Sequence, residues 1–405
     1  MSKQIAIVMA MASSVWLLMQ LDVAAIAAEG TSKPASAPGK GLFRSDRTME
    51  DMKEAEAALK EQQQTDWKAA PLKSKGGTYA DPNGYEFKYG MTRPAKMEDG
   101  KKYPVFIGNT SWTLTTADSQ AKYPCYILNV YQSETLLKPK PGGGGYEAPP
   151  DYKTVIAAAY KAVLDKMLAE DPAMDGSRVY VEGASKFGAT ALLAAYNYPD
   201  SFAAVVPPVG GSDACKAVAI AERKIGAWFL YGLKDGGEPD YKKYGRTGPH
   251  LYKAIIDAGY EANLTIYNVG DHHEYGFSDS LKNPEWNDFT RMREWLFAQK
   301  KPPMTWPVIN SPSAVAATVG KPFTYTITAD KSAKSFRAII TIEHAEDKDG
   351  KVAKPDPELP KGLFLDAKTG VLSGTPVEAG RFFIRLTAAS DKGEGLTTLM
   401  LTVKE

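Results

Sequence analysis

The chain is poor in the residues that build disulfide frameworks and metal sites. Its 405 residues hold two cysteines, Cys125 and Cys215, and four histidines, His250, His272, His273 and His344. Two thiols do not make a framework, and no Cys/His cluster has metal-ligand spacing. We expect two free, buried thiols, no metal and no cofactor. A surplus of charge is missing as well: 49 Lys and Arg stand against 48 Asp and Glu, for a formal net charge of +1. That balance argues against nucleic acid or an anionic membrane surface as partner. Beyond the first two dozen residues no apolar run is long enough to span a bilayer.

What is present begins with an export signal over residues 1–28. Lys3 supplies a positive start, Ile5 to Leu21 is largely apolar, and Ala25-Ile26-Ala27 offers a small-x-small cleavage site. Residues 29–75 read as a linker, small and polar over 29–46, followed by an amphipathic helix from Thr48 to Trp67. Strands and helices then alternate over 76–301. Strands are expected at Tyr85 to Met91 (an antiparallel edge), Tyr103 to Ile107, Tyr123 to Val130, Val179 to Val181, Phe202 to Pro207, Trp228 to Gly232 and Leu264 to Val269. Helices are expected at Tyr152 to Ala169, at Ala189 to Tyr196, at Pro249 to Ala258 and at Asp288 to Gln299. The run from Lys138 to Gly145 reads as a mobile loop. Such alternation predicts an α/β domain with a mostly parallel sheet covered by helices on both faces. A Pro-rich hinge at 302–306 follows. Residues 307–405 then alternate apolar and polar between turns such as Thr369-Gly370, which predicts a small antiparallel β-sandwich.

One stretch organises the chemistry: Val179-Tyr180-Val181-Glu182-Gly183-Ala184-Ser185-Lys186-Phe187-Gly188-Ala189. A buried strand runs into Gly183-x-Ser185, and a helix rich in Ala and Leu follows. A nucleophilic Ser needs this setting, a tight turn that exposes its hydroxyl before a helix N-terminus. The pattern is G-x-S-x-x-G, with Phe187 where the common signature has a small residue. Acyl transfer also needs a base, an acid to orient it, and donors for the oxyanion. Asp235 and His272, with His273 as alternate, follow in the order Ser, acid, His, each in a loop after a strand. The oxyanion donors are expected at the N–H of Lys186 and in the turn at Asn109 or Thr110. The bland alternatives are a Gly-rich turn with an idle Ser, a turn Asp before Gly, and loop histidines without a task.

Through these motifs residues 85–300 resemble the esterase/peptidase branch of the α/β-hydrolases, the prolyl-oligopeptidase-like and dienelactone-hydrolase/feruloyl-esterase-like group. Tyr198-Pro199-Asp200-Ser201-Phe202, Tyr231-Gly232-x-x-Asp235 and Val269-Gly270-x-His272 also carry the resemblance. The elbow Ser185-Lys186-Phe187-Gly188 is similar to the G-x-S-[RK]-x-G elbows of glucuronoyl esterases, where the basic residue helps hold the oxyanion. Leu359 to Gly380, with Leu365-Asp366-x-x-Thr369-Gly370-Val371-Leu372-Ser373-Gly374-Thr375-Pro376, resembles immunoglobulin-like, cadherin-like modules of bacterial surface proteins. The resemblance implies an exported serine carboxylesterase whose substrate is an ester, for example on acylated polysaccharide. The competing readings are an inactive hydrolase-fold scaffold, an adhesin that works through the sandwich, and a serine peptidase.

Overall fold

The computed structural model describes residues 41–45, 74–108, 114, 117–142, 146–232, 247–267, 287–341 and 359–405. The expected signal peptide and the helix over 48–67 lie outside the described residues.

The first domain runs β1 (Gly41–Ser45), β2 (Ser74–Ala80), β3 (Glu86–Thr92), β4 (Tyr103–Gly108), α1 (Ala117–Lys122), β5 (Tyr126–Val130), β6 (Lys138–Pro139), β7 (Tyr146–Glu147), α2 (Tyr152–Glu170), β8 (Met174–Glu182), α3 (Lys186–Asn197), β9 (Ala204–Val206), α4 (Ala214–Glu222), β10 (Gly226–Gly232), α5 (Gly248–Asp257), β11 (Asn263–Tyr267) and α6 (Asn287–Ala298). One sheet of nine strands has the order β1-β11-β10-β9-β8-β4-β5-β3-β2. Neighbours from β1 to β5 are parallel, and β3 is antiparallel to both β5 and β2. This is the α/β-hydrolase fold.

The central strands are continuous apolar runs because both faces of the sheet are covered. Val179 and Val181 of β8 join the core under α2, α3, α4 and α5. Tyr180 points the other way, into a smaller core with Phe106, Trp228, Met292 and Leu296 under α6. Trp228 is fully buried, and its indole N–H donates to Thr265 Oγ1 at 3.0 Å. Cys125 is buried and Cys215 half-buried, and the two are not joined in a disulfide. Burial pushes the Cys125 thiol up to about 12.

Three local expectations change. The strand at 85–91 is not an edge, because β2 pairs outside it. Residues 41–45 are not linker but a parallel strand against β11. The loop over 138–145 is anchored at its base by the β6–β7 ribbon.

The C-terminal domain contains β12 (Ala314–Thr318), β13 (Phe323–Thr326), β14 (Ser335–Ile340), β15 (Leu363–Asp366), β16 (Val371–Gly374), β17 (Gly380–Ser390) and β18 (Gly393–Lys404). Two sheets, β12-β18-β17-β14 and β13-β16-β15, face each other as an immunoglobulin-like sandwich. It is not wholly antiparallel, since β12 runs parallel to β18. The Leu359–Gly380 motif is the β15–β16 hairpin. Gly362 and Gly374 stand at φ +88° and +139°, and a Cβ on either would come within 2.0 Å of a carbonyl oxygen.

The Pro-rich segment is docked rather than free. The Lys301 N–H donates to Ser177 O at 2.8 Å, and Lys301 Nζ to Asp200 O at 2.8 Å. Trp306 Nε1 and the Leu396 N–H both donate to the Asp200 carboxylate, at 3.3 and 3.0 Å. Arg385 donates to Tyr196 O at 2.9 Å and lies 4.4 Å from the Tyr196 ring. Phe383 and Met400 of the sandwich belong to the core of the first domain. Truncating Arg385 leaves buried acceptors on α3 unsatisfied, at roughly 1–3 kcal/mol. Arg385→Ala should therefore lower the midpoint of urea unfolding for the whole chain. An unchanged midpoint would mean that the sandwich does not support the first domain.

Candidate active site

β8 ends at Glu182, and the chain turns through Gly183-Ala184-Ser185 into α3. Ser185 has φ +55° and ψ −120°, left-handed backbone that a non-glycine residue adopts only where its surroundings impose it. Those surroundings are close backbone contacts. A Cβ on Gly183 would lie 2.6 Å from Phe187 O, and one on Gly188 would lie 2.8 Å from Gly210 Cα. The Ser185 N–H donates to Pro208 O at 2.9 Å, the Phe187 N–H to Ala184 O at 2.9 Å, and the Ala189 N–H to Ser185 O at 3.0 Å. The predicted strand, sharp turn and helix are all present, and Ser185 is half-buried at the turn.

Lys186 is the first residue of α3, so its N–H has no acceptor within the helix. Among the described residues it takes no backbone acceptor elsewhere either. It points from a helix N-terminus, where partial positive charge accumulates. Beside it, β4 ends at Gly108, in register with Glu182. Gly108 has φ +141°, and a Cβ there would meet Glu182 O at 2.0 Å, so only glycine lets β4 close on the elbow strand.

The remaining expected site residues, Asn109, Thr110, Asp235, His272 and His273, lie outside the described residues. The strands that lead to them are described. β4, β8, β10 and β11 are parallel, so Gly108, Glu182, Gly232 and Tyr267 end at one rim of the sheet.

The Lys186 ammonium is turned toward the loop after β5. Nζ donates to Gln132 Oε1 at 2.8 Å and stands 4.9 Å from the centre of the Tyr146 ring on β7. It lies 5.1 Å from the Phe187 ring. Partial burial pulls its pKa below that of an ordinary lysine. Neither Gln132 nor Tyr146 carries a signal in the sequence, because both reach Lys186 only through the fold.

Glu182 is a second residue that the sequence does not reveal. It is buried, and by strand alternation it faces the α6 side, where the buried Arg293 lies. Burial pushes its carboxyl up to about 8, against the opposing charge of Arg293. Asp213 and Lys216 form a buried ion pair at 3.2 Å at the start of α4, just beyond the loop that receives the Ser185 N–H. Among the described residues, no three of His, Cys, Asp and Glu are grouped to hold a metal.

Residues 306–404 match the family model described as "Putative Ig domain". No curated protein matches the chain. Among solved structures, a thermostable esterase is similar at 22% identity with a TM-score of 0.44, covering 56% of this chain and 63% of that one. The acylaminoacyl peptidase of Pyrococcus horikoshii is similar at 15% identity and a TM-score of 0.41, over 58% of this chain and 43% of that one. A Klebsiella pneumoniae protein described as "Putative Dienelactone Hydrolase" is similar at 16% identity and a TM-score of 0.40, over 55% of this chain and 98% of that one. The chain thus spans less than two thirds of the esterase and of the peptidase.

Two outcomes follow from the geometry. Gly188→Ala forces a methyl against the Gly183 and Gly210 backbones and should destabilise the protein by about 1–3 kcal/mol, read by denaturant unfolding; wild-type stability would contradict the close approach. For Glu182, a folded pKa of about 8 against 4.5 means that the native state binds more protons than the unfolded state between those values. Stability should fall as pH rises through that window. Glu182→Gln removes that slope, so thermal melts should show the variant gaining on the wild type from pH 5.5 to 8.5. A gap that does not change with pH would place the proton elsewhere.

Proposed function

We propose that the protein is an exported serine hydrolase, a carboxylesterase acting on acylated polysaccharide or related esters. Ser185 attacks the ester carbonyl through Oγ, and His272 takes its proton and returns it to the leaving alcohol. Asp235 orients His272. The N–H of Lys186 and a donor from the Asn109/Thr110 turn hold the oxyanion. Water, activated by the same His, then releases the acid and restores Ser185.

The observation that carries this reading is Ser185 at φ +55° on a turn between β8 and α3, next to an N–H with no backbone acceptor among the described residues. Reach supports the partners. Strands lie about 4.8 Å apart, so the end of β10 is about 10 Å from that of β8, and the end of β11 about 14 Å. Extended chain covers about 3.3 Å per residue. Asp235 lies three residues past Gly232 and His272 five past Tyr267, enough in each case to return to the elbow. Export draws on residues 1–28. The polysaccharide substrate draws on the sandwich module and the elbow variant.

The test is hydrolysis of p-nitrophenyl acetate by the wild type and by Ser185→Ala. The variant should lose at least about a thousandfold in kcat/KM, and whichever of His272→Ala and His273→Ala matches that loss identifies the base. Equal rates for wild type and Ser185→Ala would reduce the domain to a scaffold.

A further inference from the structure

A lysine ammonium has three donors. Lys186 gives one to Gln132, and its other neighbours are the rings of Tyr146 and Phe187. Among the described residues these partners are uncharged, and no carboxylate there pairs with it. Glu134 faces Lys88 at 3.8 Å, and Glu147 stands opposite Lys138 across the β6–β7 ribbon. A half-buried cation whose partners among the described residues are neutral is therefore kept at the rim of the sheet, one peptide unit from Ser185.

One of the rings that border this cation is open to solvent. Tyr146, 4.9 Å from Nζ, is 52% exposed. Among the described residues, large apolar side chains as open as this one are few. A ring with an apolar face and a polar tip suits the C–H face of a sugar. The ribbon brings Tyr146 over the same ammonium that Gln132 holds, so charge donor and ring face converge.

We propose that Lys186, Gln132 and Tyr146 form a subsite for a carboxylate-bearing group of the substrate, so that the preferred ester carries an acid close to the scissile bond. The proposal rests on the esterase reading of Ser185 and adds the substrate class. Nζ binds the carboxylate, and the Tyr146 ring holds the moiety that carries it. That moiety is either a uronic acid on the alcohol side or the second carboxyl of a dicarboxylic acid on the acyl side.

Two substrate pairs separate the sources. Mono-acetylated methyl glucuronoside is compared with mono-acetylated methyl glucoside, and p-nitrophenyl hemisuccinate with p-nitrophenyl butyrate. The charged member of at least one pair should have a kcat/KM about tenfold or more above its neutral partner. Lys186→Met should bring that ratio to about one, and Lys186→Arg should keep part of it, with melting temperatures confirming that both variants fold. A second readout needs no turnover. In the Ser185→Ala background, calorimetric titration with glucuronate or succinate should show binding that is weakened about tenfold by adding Lys186→Met. If wild type hydrolyses charged and neutral esters alike and Lys186→Met leaves the ratios alone, the subsite is wrong and the esterase reading stands. If no ester is hydrolysed the esterase reading fails, and the titration alone then decides whether the anion site exists.

Discussion

Backbone meets backbone at the end of β8, and the architecture of the site depends on that contact. Gly108 of β4 closes on the Glu182 carbonyl, Gly183 on Phe187, and Gly188 on Gly210. Four segments therefore converge where no side chain fits: β4, β8, the head of α3 and the loop after β9. The convergence holds Ser185 in a backbone region that costs of order 1–3 kcal/mol. Val209, on the same receiving loop, is also left-handed at φ +44°. Its neighbours Pro208 and Gly210 supply the carbonyl for the Ser185 N–H and the space for Gly188. Strain on the two sides of the contact is held by the same interlock.

α3 carries that constraint across the domain. Its head is the elbow and its foot is the surface on which the sandwich sits. Twelve residues at 1.5 Å per residue separate the two by about 18 Å. At the foot, Tyr196 O accepts from Arg385, and Asn197 Oδ1 accepts from Thr398 Oγ1 at 3.2 Å. Phe383 and Met400 extend the apolar core of the first domain into the second. The module is thus built into the domain at the face opposite the rim where β8 delivers Ser185. A spacer joined by a free hinge would share neither a core nor a buried carboxylate such as Asp200.

Local signals carried much of this into the sequence. The apolar runs of β4, β5, β8 and β10 and the Ala-rich helix after Ser185 need no partner to be recognised, because both faces of the sheet are buried. The turn at Gly183-x-Ser185 is legible for the same reason: its residues must be small to permit the geometry. What stayed hidden depends on distant pairing. β1 is five residues of ordinary composition that become a strand only against β11. β2 removes β3 from the edge, and β12 chooses a parallel neighbour nearly ninety residues away. The hold of Gln132 on Lys186 and the burial of Glu182 against Arg293 are likewise products of tertiary packing. The loops that carry Asp235, His272 and His273 were read from their place after strands, and they lie outside the described residues.

The departure at Phe187 has a physical account. The common elbow needs a small residue two places after the Ser, since the helix head presses there against its surroundings. Here the pressure falls one residue later, on Gly188, and is relieved from the other side by Gly210. Phe187 instead turns its Cβ against Gly183, so the demand for glycine moves to that position. Its ring, half-buried, stands beside the Lys186 ammonium. The displaced glycine therefore leaves the turn intact and changes what it presents. A small, neutral rim becomes an aromatic one with a cation on it, and the residue that departs from the signature helps hold the charge next to the hydroxyl.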